Sequence, residues 1–271
     1  ITNLGHAAAW DHAGNALAWR TRGYISMDAR TATPYGTLRA YILGGFQQVS
    51  GVGPAGAAAF AVNTGAFIQY AFIQFAGFTA GTANSFFDFG VNYLTLSVAA
   101  NPWNWTNVFA YTANLGNGLS ATISIEDKST TRIGNGAVVG LQTTSYDTPD
   151  IVANIRLDQA WGSAQIMGAA HQTRWIQGDD WGYAIGAGAE IKLPMLGAGD
   201  TIKIVGVWSE GAVEYTGPSG NPYGGIAGIG LGFPGVAPGF VTVLDASTAV
   251  GSLTDAASVM IQFRHFWTPT V

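Results

Sequence analysis

Between residues 23 and 44 the side chains alternate in character with a period of two. Ile25, Met27 and Ala29 fall on one face of an extended chain, and Tyr24, Ser26, Asp28 and Arg30 fall on the other. The pattern breaks over 31–36, which holds Pro34 and Gly36, then resumes with Leu38, Ala40 and Ile42 opposite Thr37, Arg39 and Tyr41. Two alternating runs joined by a Pro/Gly turn predict a β-hairpin. Arg30 and Arg39 require the second face to be wet. The first face is uniformly apolar and must meet either a protein core or lipid.

The same rhythm recurs along the chain. Residues 1–17 and 46–65 read as loops, and Arg20 and Arg22 extend the first strand backwards with Trp19 opposite. Strands are expected over 66–75 and 78–83 around Ala76-Gly77, then 108–114 and 119–126 around Gly116-Asn117-Gly118. Further pairs are 151–157 with 163–171, around a turn at 159–162, and 182–192 with 201–209; a final strand covers 257–267. Long connections are expected at 84–107, 127–150, around Asp179-Asp180, and at 210–255.

Connections thus alternate between short and long, a pattern of membrane-spanning antiparallel barrels rather than soluble sandwiches. The predicted strands are close to the ~9–11 residues that cross a bilayer at a tilt. Closure of the sheet satisfies the backbone where water is absent. The fold class expected is therefore all-β, in a single domain over 1–271.

Composition supports this. Charged residues make up 10% of the 271, against roughly 25% in an average soluble domain. No apolar run approaches the ~18 residues of a membrane helix. The net charge of −5 argues against nucleic acid as a partner. The absence of cysteine is compatible with export through an oxidising compartment and with a cytosolic location alike. The start, Ile1-Thr2-Asn3, shows no signal peptide. Eleven strands is an odd number for a bacterial single-chain barrel, so the sequence is expected to be an internal portion of a longer chain.

DARTATPYGTLRAYI (28–42), AFIQFAGFTAG with NSFFDF (71–89), QAWGSAQIMGAAH (159–171) and QFRHFWTP (262–269) resemble the alphaproteobacterial porins of the Rhizobiales type. The resemblance implies a 16-stranded, trimeric outer-membrane general-diffusion porin, of which about 11 strands are visible here, with a third loop folded into the lumen. That loop is expected at 84–107, with Phe86, Phe87 and Asp88 at the constriction. One strand would then precede the visible ones and four would follow. The expected partners are a homotrimer, outer-membrane lipid and lipopolysaccharide, and small hydrophilic solutes.

Sorted by parity, the lumen face carries Arg20, Arg22, Arg30, Arg39, Arg156, Lys192, Lys203 and Arg264, with Asp28, Glu126 and Glu190 as its acids. A basic wall in a narrow aqueous passage concentrates anions and orients dipoles. Arg20, Arg22, Arg30 and Arg39 are assigned to it, whereas Lys192, Lys203 and Glu190 read as solvated charges. Asp88 is the expected acidic partner across the pore. Trp19, Trp161, Phe266 and Trp267 suit interfacial belts, and Trp10, Trp175 and Trp181 suit loop packing. Asn101 to Trp105 are expected to anchor the loop or join an aromatic girdle.

Catalytic patterns are weak. GVGPAG (51–56) and GLGFPG (230–235) match G-x-G-x-x-G without the strand and helix that dinucleotide binding requires. His6, His12, His171 and His265 lack zinc spacing. Asp147, Asp150, Asp179 and Asp180 have no recognisable calcium spacing, and neither metal nor cofactor is expected. Two alternatives stand beside a diffusion channel. One is a membrane-embedded enzyme using His171, a serine and an acid of the Asp179 type; the other is a structural anchor with an occluded lumen.

Overall fold

A computed structural model of the chain describes residues 19–50, 63–90, 105–127, 147–175, 178–217 and 252–267. They form one antiparallel sheet of 11 strands in which each strand pairs with its neighbours in sequence. The strands are β1 (Trp19–Thr33), β2 (Gly36–Ser50), β3 (Asn63–Phe75), β4 (Phe78–Asn84), β5 (Trp105–Gly116) and β6 (Leu119–Glu126). They continue with β7 (Asp150–Gln159), β8 (Gly162–Trp175), β9 (Gly178–Lys192), β10 (Thr201–Glu210) and β11 (Asp255–Arg264). A 3₁₀ turn, Val213–Thr216, is the single helical element among the described residues.

All eleven strands lie where the alternation places them, but several run further, and the last ends at Arg264, short of the expected 267. β1 and β2 have 15 residues each, or about 50 Å at ~3.3 Å per residue. A hairpin of that length passes beyond the hydrocarbon layer and has water on both faces there. Apolar alternation fades while the backbone ladder continues. For this reason Phe46 to Ser50 belong to β2 rather than a loop, and the first turn shrinks to Pro34-Tyr35 between the paired Thr33 and Gly36. Asp179 and Asp180, expected in a loop, are paired in β9 with Arg174 and Thr173. Trp181 likewise belongs to β9 and not to a loop.

The short turns follow from their residues. Ala76 and Gly77, at φ 49° and 88°, make a two-residue connection of the kind whose positive φ at both positions matches strand twist. Their place at the Phe75–Phe78 pair is the one alternation predicts. In β3, Gln69 is an extra residue opposite Leu43 and Gly44. This bulge shifts parity, so that Phe67 before it joins the same face as Tyr70 and Phe72 after it.

The two faces differ sharply from β5 onward. Ile123, Ile155, Ile166, Ile185, Val259, Ile261 and Phe263 are each more than half exposed. On the opposite face Val152, Met167, Ala184, Val205, Val207 and Met260 are buried, beneath segments that follow β4 and β10. The exposed apolar row is the surface lipid requires, and the covered face is the inner one.

Candidate functional site

The inner face begins at β1 and β2 with a charged ladder. Asp28 accepts hydrogen bonds from Arg30 Nε (3.1 Å) and Nη2 (2.8 Å) and from Arg39 Nε and Nη2 (both 3.0 Å). Arg30 and Arg39 are direct cross-strand partners, so the carboxylate relieves a like-charge pair. Arg39 also donates to Gln74 Oε1 and lies over the rings of Tyr41 and Phe72. Arg22 donates to Gln47 Oε1 and sits over Phe67. Arg20 is placed within β1.

Across the inner face of β6 to β10 lies the segment after β4. Asn154 Nδ2 donates to Phe86 O (2.6 Å), and Phe86 N–H donates to Glu126 Oε1 (2.8 Å). Gln165 Nε2 reaches Phe87 O and Asp88 O. Phe87 is fully buried and meets the ring of Tyr215 at 4.7 Å between centroids. Phe89 is seated at Gly188, where a Cβ would stand 2.5 Å from its ring; only glycine leaves room. Arg156 and Lys203 flank the Phe89 ring at 5.4 and 5.2 Å. Each such cation–π contact contributes about 0.5–2 kcal/mol.

Two expected roles change. Glu126 keeps its inward parity but is fully buried; it accepts Phe86 N–H and Ser124 Oγ–H and so tethers the crossing segment. Lys203, read as a solvated charge, is also fully buried, because Phe89 covers it. It lies within electrostatic reach of Glu190, Asp88 and Arg156. Arg156 forms a two-pronged pair with Asp158 at 2.8 Å. Arg264 stands over Phe266. Residues 91–104 of the expected constriction, including Trp103, lie outside the described residues, as do Trp10, His6, His12 and both glycine-rich motifs. Trp105 falls in β5 and packs edge-on against Tyr70. Trp161 and Trp267 are exposed, as a membrane interface would have them.

A second inward segment was not foreseen. The 3₁₀ turn brings Glu214 and Tyr215 onto the wall formed by Asp150 at the start of β7 and His171 in β8. His171 Nδ1 is 2.9 and 3.0 Å from the two Asp150 oxygens and 3.8 Å from Glu214 Oε1. Tyr215 donates to Asp150 Oδ2 at 2.7 Å. All four side chains are buried, and burial with the nearby Asp150 carboxylate holds the Tyr215 hydroxyl well above its usual range. His171 is therefore paired with Asp150, while Asp179 accepts from Gln172.

The sequence profile of the porin subfamily matches residues 3–256. The chain belongs to the porin subfamily. It is a porin-type diffusion channel with an outer-membrane β-barrel location. No curated protein matches it. Among solved structures it is similar to the outer membrane channel DcaP of Acinetobacter baumannii, with TM-score 0.48 and 15% identity over 76% of this chain and 67% of that one. In this porin the inner face is the side on which the polar and charged row, the crossing segment and the 3₁₀ turn all lie.

Proposed function

We propose that this porin passes small hydrophilic solutes through a bore narrowed by the segment 84–107, and that the arginines of β1 and β2 favour anions there. The observation that carries this reading is the seating of Phe86 to Phe89 on the inner face, held by Glu126, Asn154 and Gln165. Size exclusion follows from the rings. Charge filtering follows from Arg20, Arg22, Arg30 and Arg39 on β1 and β2, of which Arg30 and Arg39 share one carboxylate, Asp28. The field is screened over ~8 Å at physiological salt, so it acts best where the bore is narrow. The full assembly is a homotrimer in outer-membrane lipid, with lipopolysaccharide around its long connections. An occluded anchor has one observation on its side: two segments, not one, cover the inner face of β6 to β11.

Conductance separates the two readings. Full-length protein in a planar bilayer should give stable ohmic openings, in three steps for a trimer. Replacing Arg20, Arg22 and Arg39 together by alanine should move the reversal potential in a salt gradient toward cations, with a smaller shift at high salt. Complete impermeability to ions would establish the anchor instead. An unmoved reversal potential at low salt would remove these arginines from the permeation path.

A further inference from the structure

We propose that Asp150, His171 and Glu214 form a site for one divalent transition-metal cation of the zinc class. One donor atom from each residue lies within 4.8 Å of the others. The His171 Nδ1 separations, 2.9 Å to Asp150 and 3.8 Å to Glu214, straddle the roughly 3.3 Å edge of a tetrahedron built on ~2.0–2.1 Å bonds. Shifts of a few tenths of an ångström bring both His171 separations to that edge, and the Asp150 and Glu214 donor oxygens lie within 4.8 Å of each other. The donors come from three separate elements, β7, β8 and the 3₁₀ turn, and all are at most 2% exposed.

The chemistry of the donors selects the metal class. An imidazole nitrogen with two carboxylates, and a fourth position for water, is a zinc-type set. Calcium takes 6–8 oxygen ligands and magnesium keeps several waters, whereas the described residues bring together here one imidazole nitrogen and two carboxylates. Tyr215 O–H, bonded to Asp150 Oδ2 at 2.7 Å, is the outer-shell donor that orients a ligating carboxylate. On binding, the proton shared between Nδ1 and Asp150 leaves to solvent. The bound cation cross-links the connection after β10 to the β7–β8 wall. Through the Tyr215–Phe87 ring contact it also steadies the crossing segment.

The test is a calorimetric titration of the full-length, detergent-solubilised protein with zinc chloride after removal of metals by a chelator. The expected result is one saturable equivalent per chain. Calcium chloride should bind at least about 10-fold more weakly. Both His171→Gln and Glu214→Gln should weaken zinc about 10-fold or more. Glu214 lies outside the sheet, so its variant keeps a folded barrel and carries the test if the histidine variant does not fold. Absence of saturable zinc binding to the wild type overturns the proposal. So does zinc binding that Glu214→Gln leaves unchanged, or calcium binding as tight as zinc.

Discussion

Replacing Gly188 by leucine is expected to lift Phe89 from its seat and free the segment that crosses the inner face. Even the first carbon of a new side chain would stand 2.5 Å from Phe89 Cδ1 and 3.1 Å from Cγ and Cε1, where ordinary carbon contacts are near ~3.5–4.0 Å. For alanine the ring withdraws by about 1 Å, at an overpacking cost of about 1–3 kcal/mol. Leucine places further carbons in the same space, and the ring must leave altogether. Phe89 is 2% exposed, and a buried phenylalanine removes ~150–250 Å² from water. Release therefore forfeits about 4–6 kcal/mol at ~25 cal/mol/Å². Since alanine costs less than expulsion, it leaves the ring seated but looser, whereas leucine does not. The strands stay paired, because the ladder from β5 to β10 does not pass through Phe89. Liposome swelling with sugars of graded size should show a raised cutoff for Gly188→Leu and a small change for Gly188→Ala. Limited proteolysis should cut Gly188→Leu within residues 85–90 first. A folded leucine variant with wild-type cutoff and wild-type protease resistance would refute the assignment of Phe89 as the seat.

Other expectations test the charged groups. Asp28→Asn removes the carboxylate shared by Arg30 and Arg39 and should move the low-salt reversal potential toward anions; no shift would mean that the ladder lies off the ion path. Phe266 N–H (3.0 Å) and His265 Nδ1 (2.6 Å), which follow β11, reach the carboxylate of Asp200 in the β9–β10 turn and hold its pKa below the ordinary value. A lowered folded pKa gives stability that is fully present above the unfolded value near ~3.9 and is lost as pH falls through the folded one. Hydrogen exchange at Phe266 should accordingly quicken between about pH 6 and about pH 2, beyond the intrinsic change, and Asp200→Asn should abolish this pH dependence. Equal protection at both ends of that range in the wild type would count against the carboxylate's role.

The sheet was legible because lipid on one side and water on the other impose a strict period of two. Ile123, Ile125, Ser124 and Glu126 announce both faces of β6 without any tertiary information. Legibility ended where that contrast ended. At Asp179 and Asp180 both faces are polar, so the strand looked like a loop. The bulge at Gln69 was hidden because apolar residues crowd both parities of β3. Within the site, Phe86 to Asp88 were marked by their sequence neighbourhood, yet their seat was not. Asn154, Gln165 and Gly188 are ordinary residues on an inward parity, and nothing local announces that a distant phenylalanine lies against them. The grouping of Asp150, His171, Glu214 and Tyr215 is likewise a product of topology, with no fixed spacing to read.

Pairing confined to sequence neighbours also bears on the order in which this porin takes shape. The tight hairpins, such as the one closed at Phe75–Phe78, span short stretches of chain, whereas the Phe86–Asn154 bond spans 68 residues and the Phe87–Gln165 bond spans 78. Contacts of low sequence separation form fast and distant ones slowly. The tight hairpins of the wall are therefore expected to pair before its interior is furnished. Phe87 and Phe89 thus depend on a wall already in place, and a chain halted before they settle would be wider in bore and more permeable than the finished channel.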